Sequence, residues 1–319
     1  MTFYTSVNRY GNSLLYRGYN DNGSAITTKI KFSPTLYLPD RNADDNPKYK
    51  GLDGTPLRAM QFQKMSEAKE FIDQYKELPS FKIYGNTNYI QQYITEKFPD
   101  EIKFSSSMVN VVNFDIEVAS DEGFPKPDEA LYPVISIALK SSKSSVYHVW
   151  GLGDYDAEAT ELKMGTNMIQ YRKCASEEEL LSKFLTYWNE NPPDIITGWN
   201  IRFFDVPYLV NRIGRIGSME AVKRLSPWNM VNERNTKIMG RDQQGFELVG
   251  IQQADYIELF KKFGYSYGTQ ESYALNHVAN TVLGEKKLSY EEHGSLHTLY
   301  ENDHQKFIDY NIKDVQLVQ

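Results

Sequence analysis

The stretch Val111–Ser120, "VVNFDIEVAS", has the composition of a buried β-strand, yet it carries two carboxylates, Asp115 and Glu117. Side chains alternate along a strand, so residues two apart lie on the same face. Asp115 and Glu117 therefore point the same way, and the apolar residues around them point the other way. Two like charges this close in a partly dry site repel each other strongly unless a shared proton or a cation offsets them. The stretch predicts either a metal site or a protonated pair.

Further strand candidates follow this carboxylate strand. "PVISIALK" (Pro133–Lys140) and "SVYHVW" (Ser145–Trp150) are separated by a short polar stretch, which predicts an antiparallel meander led by the carboxylate strand. "DIITGWN" (Asp194–Asn200) is typical of a short buried strand. The segment Asn235–Ile251 predicts a β-hairpin that turns around "RDQQG" (Arg241–Gly245).

Three helices are predicted in the same region. Ser176 and Glu179 form an S-x-x-E capping box before an amphipathic stretch that ends at a Pro-Pro pair. "DVPYLVNRIGRI" (Asp205–Ile216) predicts a helix that opens at Asp205 with a proline in its first turn. The tail, Asn302–Gln319, has helical periodicity to its end.

The N-terminal region is predicted to be rich in β-structure. "FYTSV", "LLYRGY" and "AITTKIKF" are strand candidates, and Asp21–Gly23 is a hairpin turn between the last two. A polar loop, Arg41–Gly54, comes next. Two helices follow, one with Ser66 as its N-cap and one over Asn88–Phe98. The polar segment Pro99–Ser107 predicts a boundary, so we expect a β-rich α+β domain over 1–106 and an α/β domain over 107–319.

Composition excludes several classes of protein. The 319 residues are 40% hydrophobic, without an apolar run of membrane-spanning length or a signal peptide, and the one cysteine, Cys174, favours a reducing compartment. We expect a cytoplasmic protein with no membrane partner. The net charge of −7 argues against a general polyanion-binding surface. From Arg202 to Arg241, however, eight basic residues face three acidic ones, and this segment either follows a phosphate backbone or is a solvated face.

Two further carboxylates complete a pattern. Tyr310 and Asp314 are four residues apart in the tail helix, hence one turn apart on one face. Taken singly, Tyr310 is more often a residue at the edge of a core, and Asp205 more often a helix N-cap. Asp115 and Glu117 are the stronger signal, because paired charges inside an apolar strand are costly to bury.

The combined pattern resembles the three motifs of the 3′–5′ exonucleases of the DEDD type. They stand here as "FDIEV", "NIRFFD" (Asn200 to Asp205) and "YNIKD" (Tyr310 to Asp314). The words around them, "TGWNIRFFDVPYLVNR", "DYIELFKKF" and "KKLSY", are similar to the proofreading region of the family B replicative DNA polymerases of T-even-like bacteriophages. The N-terminal region is similar to theirs as well, so the resemblance covers essentially the whole chain.

The resemblance implies a ribonuclease-H-like, mixed-sheet α/β exonuclease domain that hydrolyses the terminal phosphodiester of single-stranded DNA. Two Mg²⁺ or Mn²⁺ ions would be held by Asp115, Glu117, Asp205 and Asp314; one activates the attacking water and the other stabilises the departing 3′ oxygen.

The resemblance also implies roles for other residues. Tyr310 would orient the water, and Lys287 in "KKLSY" would neutralise charge on the phosphate. Asn200 and Phe204 would grip the frayed strand, and Phe124 would stack on a base. A histidine-type enzyme has His five residues before its last aspartate; Asp309 stands there, which predicts the tyrosine type.

Some relationships and alternatives stay open. We find no palm or fingers motif of a polymerase, so the sequence predicts either an excised fragment or one half of a split polymerase. The expected partner is the polymerase half, and a sliding clamp would bind through that half. The hairpin near Asp242–Gly245 resembles the element that separates primer from template. Asp255 and Glu258 are expected to be structural. One alternative is a free-standing nuclease that acts on RNA or repair intermediates. The other is a non-catalytic nucleic-acid-binding or regulatory module, in which the β-rich first hundred residues grip RNA and the carboxylates are only capping or structural.

Overall fold

A computed structural model describes residues 2–44, 46–78, 80–120, 123–238 and 241–319. The chain forms two compact units, one that ends at Ser105 and one over Ser106–Gln319. No helix within these described ranges is both long and apolar enough to cross a membrane.

The first unit contains two antiparallel sheets of three strands each, with order β1-β2-β3 and β4-β6-β5. Its helices, α1 and α2, pack their apolar faces on a core of aromatic and aliphatic side chains. The elements are β1 (Phe3–Tyr10), β2 (Ser13–Tyr19), β3 (Ala25–Lys31), β4 (Thr35–Pro39), β5 (Tyr49–Lys50), β6 (Pro56–Gln61), α1 (Met65–Tyr75) and α2 (Tyr89–Lys97).

Three details of this unit differ from the sequence predictions. Ser66 is not an N-cap: it lies inside α1, Lys64 precedes the helix, and the Ser66 N–H donates to the Asn12 side chain. The predicted loop Arg41–Gly54 contains the short strand β5, and the strands β4 and β6 that flank it were not predicted.

The predicted hairpin turn after β2 is confirmed, with Gly23 at a φ of +82° that glycine tolerates best.

The second unit is built on a mixed six-stranded sheet with the order β10-β9-β8-β7-β11-β16. The central strand β7 is antiparallel to β8 and parallel to β11, and β8 is antiparallel to β9, so the predicted meander is confirmed. The strands of the sheet are β7 (Val111–Val118), β8 (Val134–Ser141), β9 (Val146–Gly151), β10 (Met168–Lys173), β11 (Ile195–Gly198) and β16 (Gln252–Asp255). This is the expected ribonuclease-H-like α/β arrangement, extended at one edge by β10.

Helices cover both faces of this sheet. On one face, α3 (Glu177–Glu190) and α4 (Asp205–Ile216) pack against the apolar side chains of β7. On the other face, α9 (His304–Val318) packs against β8 and β9. The capping box is confirmed, because the Ser176 hydroxyl accepts from the Glu179 N–H while Glu179 accepts from the Ala175 N–H. Because the apolar side chains of β7 face α3 and α4, the polar face of β7 lies toward α9.

The remaining elements connect these layers. The predicted hairpin is present, with β13 paired to β14 and β12 paired to β15, but it reverses between Ile238 and Arg241 and not at "RDQQG". Its tip, residues 239–240, lies outside the described residues. The connecting elements are α5 (Met219–Lys223), β12 (Val231–Glu233), β13 (Thr236–Ile238), β14 (Arg241–Gln243), β15 (Phe246–Leu248), α6 (Tyr256–Phe263), α7 (Leu275–Leu283) and α8 (Leu296–Asn302).

Candidate metal centre

Three of the predicted carboxylates converge where α9 crosses β7. Asp115 and Glu117 share one face of β7, and Asp314 approaches them from α9. One oxygen of each lies within 4.8 Å of the others. Glu117 and Asp314 are buried and Asp115 is half-buried, so these charges are largely removed from water.

The fourth carboxylate, Asp205, lies at the start of α4, beside this group and not within it. The N-cap alternative for Asp205 is wrong, because Asp205 is the first helical residue and Phe204 precedes the helix. Asp205 Oδ1 instead accepts a hydrogen bond of 3.1 Å from the Ile116 N–H of β7. The side chain is buried and bound directly to the carboxylate strand.

A tight turn between β11 and α4 delivers Asp205 to the strand. At Gly198 any Cβ would come within 2.6 Å of the Phe114 carbonyl oxygen, so only glycine allows this approach. Asn200 follows with a φ of +66°, a left-handed conformation that asparagine adopts more readily than most residues. Asp255, buried, accepts from the N–H groups of Asn200 and Arg202 at 3.1 and 2.9 Å. Asp255 therefore holds the turn in place.

Burial raises the pKa of every carboxylate in this group, and repulsion between carboxylates adds to the rise at Asp115, Glu117 and Asp205. The pKa of Glu117 rises to about 8 because it is desolvated and faces Asp314. The pKa of Asp205 rises to about 7 through burial, although backbone N–H bonds partly oppose this rise. The pKa values of Asp115 and Asp314 also rise, both through burial first. The site is therefore built to receive positive charge.

One ammonium group reaches these carboxylates. Lys287 Nζ contacts Asp314 Oδ2 and lies 3.0 Å from the Tyr310 hydroxyl and 5.0 Å from the centre of its ring. Burial alone would lower the pKa of Lys287, but attraction to Asp314 and its neighbours raises it, so the group is charged. With all four carboxylates ionised, the Lys287 ammonium would leave an excess of three negative charges, and the raised pKa values mean that protons neutralise part of this charge until a cation replaces them.

These residues suit a divalent cation. Carboxylate oxygens are the ligands that Mg²⁺ and Mn²⁺ prefer. Asp314 Oδ1 is buried and, among the described residues, has no hydrogen-bond partner, which is costly for a carboxylate oxygen unless a ligand completes it. Asp115, Glu117 and Asp314 would hold the ion most directly, with Asp205 next to them.

Tyr310 and Asp309 are adjacent in α9 but have different surroundings. The Tyr310 ring is buried edge-on against Tyr290, while its hydroxyl faces Lys287. Asp309, at the position of the histidine in the other type, points elsewhere: its carboxylate accepts from the hydroxyl groups of Tyr155 and Thr160, both at 2.7 Å. Asp309 anchors a loop and takes no part in the carboxylate group.

The residues expected to bind the strand fall into an aromatic pair and the lining of a cleft. Phe124 is 77% exposed, which excludes core packing, and its ring centre is 4.9 Å from that of half-buried Phe204. A cleft of about 1030 Å³ opens on the other side and is lined by Asn200, Lys287 and Tyr310, among others. The cleft thus shares Lys287 and Tyr310 with the surroundings of Asp314.

At least four of the eight basic residues of the segment Arg202–Arg241 form ion pairs among the described residues. Arg212 is buried in an ion pair with Glu177, and Arg202 pairs with Glu258. Other basic residues of the segment pair with their own neighbours, Lys223 with Glu220 and Arg234 with Glu247. As expected, Asp255 and Glu258 have structural contacts.

Comparison with known proteins accounts for this arrangement. Residues 77–278 match the DNA polymerase family B exonuclease domain. The chain belongs to this family. The matched range contains Asp115, Glu117 and Asp205, whereas Tyr310 and Asp314 lie beyond it.

Two phage polymerases are similar over nearly the whole chain. The DNA-directed DNA polymerase of Escherichia phage RB69 is 31% identical, and that of Enterobacteria phage T4 is 29% identical, each over 99% of this chain. The DNA polymerase delta catalytic subunit of Bos taurus is 29% identical over 56% of the chain. The chain spans only about 36% of the length of the two phage relatives and 16% of the bovine one.

Sequence reasoning missed several residues that shape this exonuclease domain. Asn311 bonds Asp115, Ser136 bonds Asn311, and Asn276 accepts from the Lys287 N–H at 2.9 Å. Asp255 was expected to be structural, but the sequence did not show that it binds the turn before α4. The only signal in the sequence was the position of Asn311 inside the "YNIKD" motif.

Proposed function

We propose that this chain is a proofreading 3′–5′ exonuclease that hydrolyses the terminal phosphodiester of single-stranded DNA with two divalent cations, Mg²⁺ or Mn²⁺. The observation that carries the proposal is the buried group of Asp115, Glu117 and Asp314, with Asp205 beside it, in a family B exonuclease domain. Its excess negative charge fits cations, and no nucleophilic side chain is required.

Each residue has a role in this reaction. Bound divalent cations lower the pKa of water and stabilise a departing oxygen. The Tyr310 hydroxyl, held beside Lys287, would orient the attacking water. The Lys287 ammonium would offset charge that develops on the phosphate. Asn200 and Phe204 would grip the strand, and exposed Phe124 would stack on a base.

The natural substrate would be a frayed primer end, and the natural partner the polymerase part of the same replication system. That part would come from the same or a second polypeptide, and a sliding clamp would act through it. The relatives' names, DNA polymerases of phages, support this context. Buried, unpaired Cys174 is consistent with a reducing cytoplasm as the place of action.

The proposal is tested by single-turnover digestion of single-stranded DNA and RNA 3′ ends with Mg²⁺. The double replacement Asp115→Ala, Glu117→Ala should raise the barrier by about 4 kcal/mol, roughly a thousandfold in rate. Asp309→Asn is the matched control, because it removes a buried carboxylate of α9 that is bound to a loop instead of the group. The control should keep nearly the wild-type rate.

The outcomes separate the alternatives. Near-normal activity of the double variant would show that the metal site is misassigned. Faster digestion of RNA than of DNA would favour a free-standing RNA-processing nuclease. Binding of nucleic acid without any metal-dependent cleavage would favour a non-catalytic module.

A further inference from the structure

The polar face of β7 is joined to α9 by two buried asparagines. Asn113, two residues before Asp115 on the same face, donates to the Val315 carbonyl at 2.6 Å. Asn311 of α9 donates from Nδ2 to Asp115 Oδ2 at 2.7 Å. Both amides connect the same strand to the same helix. Only the second one touches a carboxylate of the candidate metal centre.

Asn311 is held in one orientation by a third residue. Its Oδ1 accepts a hydrogen bond of 2.8 Å from the Ser136 hydroxyl, and both residues are fully buried. Ser136 lies on β8 directly opposite Glu117. A flipped Asn311 amide would place its oxygen against the Asp115 carboxylate, where the two acceptors repel. The acceptor oxygens of Asp115 therefore select the orientation of the Asn311 amide, and the Ser136 hydroxyl, which can donate or accept, donates to the other end of the amide and holds it there.

The hydrogen bond restricts the carboxylate that receives it. A carboxylate with one oxygen bound to a fixed donor cannot rotate freely, so the position of its second oxygen is also set. The same Asn311 Nδ2 lies 3.4 Å from the Asp115 carbonyl oxygen, which ties it to the backbone of the strand as well. Hydrogen-bonded neighbours of metal ligands act in this way in other sites, and their loss typically weakens metal binding.

We infer that Asn311, anchored by its hydrogen bond with Ser136, is a positioning residue that holds the Asp115 carboxylate in place for a divalent cation. The inference rests on the proposed function, since it assumes that Asp115 binds the ion. Asn311 itself would touch neither the ion nor the DNA. Its amide is neutral, so it fixes the ligand without cancelling the negative charge that attracts the cation.

The test is Mn²⁺ binding to the whole chain, measured by calorimetry without substrate. Asn311→Ala should raise the Mn²⁺ dissociation constant about 10- to 100-fold, the usual cost of losing a neighbour that orients a ligand. Asn113→Ala is the matched control, because it deletes the other buried amide between β7 and α9. The control should lower the urea midpoint comparably but leave Mn²⁺ affinity within about threefold of wild type.

Ser136→Ala provides a milder variant. It keeps the Asn311 N–H donor but removes the hydrogen bond that holds the other end of the Asn311 amide. Its Mn²⁺ affinity should fall between those of wild type and Asn311→Ala, and single-turnover rates should recover at high Mn²⁺. If Asn311→Ala fails to fold, an unchanged Mn²⁺ affinity of folded Ser136→Ala overturns the inference.

Two other results would also overturn it. One is unchanged Mn²⁺ affinity in folded Asn311→Ala. The other is equal weakening in Asn113→Ala, which would mean that any loosening between β7 and α9 suffices. These failures are distinct from failure of the proposed function, in which the wild-type chain itself would bind no Mn²⁺.

Discussion

Replacement of Tyr310 by phenylalanine separates packing from chemistry at one position. The ring lies in the core beside α9 and is 6% exposed, so phenylalanine keeps nearly all of its buried area. The change removes only the hydroxyl that lies 3.0 Å from Lys287 Nζ. Lys287 keeps its contact with Asp314, so the loss of stability should be about 1 kcal/mol, as for one hydrogen bond.

The rate should fall much more than this loss of stability suggests. If the hydroxyl orients the attacking water, its removal should slow the chemical step about tenfold to a hundredfold. That range equals about 1.4 to 2.7 kcal/mol of barrier. Mn²⁺ affinity should stay near that of wild type, because Tyr310 is not proposed as a ligand. Asp314→Ala should differ, with weaker metal binding as well as a lower rate.

The assay is single-turnover digestion of single-stranded DNA across a Mn²⁺ titration. Tyr155→Phe is the matched control, because it removes one tyrosine hydroxyl that bonds a carboxylate of α9, Asp309, at 2.7 Å. This control should lose stability but not rate. The reasoning is refuted if Tyr310→Phe digests DNA within about twofold of wild type, or if Tyr155→Phe slows it equally.

Three further predictions concern the framework around the site. Arg212→Met should cost about 3 to 5 kcal/mol in urea unfolding by leaving the buried Glu177 carboxylate without its partner, and a double variant with Glu177→Gln should recover most of it. Burial and a nearby arginine lower the pKa of His148 to about 4 in the folded chain. As the pH falls from 6.5 to 4, the imidazole of the unfolded chain is therefore protonated before that of the folded chain. Stability should fall by about 2 to 3 kcal/mol across that window, and His148→Gln should remove this part of the fall. Gly198→Ala should destabilise the chain by at least about 1 kcal/mol and slow digestion, since its Cβ would meet the Phe114 carbonyl, and a wild-type rate would contradict the role given to this turn.

Local patterns in the sequence predicted those parts of the site that depend on one element. Alternation along β7 placed Asp115 and Glu117 on one face, and the 3.6-residue period placed Tyr310 and Asp314 on one face of α9. The Gly-x-Asn turn before α4 was quoted only as part of a motif, although it sets the position of Asp205. Each of these features is decided by residues close in sequence.

Contacts between distant segments could not be predicted in this way. Asn311 and Ser136 are 175 residues apart, and neither carries a signal that it will be buried beside the other. The pairing of Arg212 with Glu177 likewise depends on how α3 and α4 pack, so a charge count along the chain mistook a buried ion pair for part of a basic surface. Ser66 shows the same limit at short range, because α1 begins two residues earlier than the cap pattern indicates, with Lys64 in place of Ser66 as the residue before the helix.

The fold compensates the four carboxylates only in part, and this incomplete compensation is what suits the site to cations. Asp205 lies in the first turn of α4, where the helix dipole and free N–H groups favour negative charge. Asn311 donates one neutral hydrogen bond to Asp115, and Lys287 supplies one positive charge near Asp314. Glu117 has no comparable donor among the hydrogen bonds of the described residues, and its pKa rises to about 8. Because Glu117 lacks such a donor, a bound cation should lower the apparent pKa of that carboxylate, and Glu117→Gln should reduce cation affinity by removing a ligand that ionises when the cation binds.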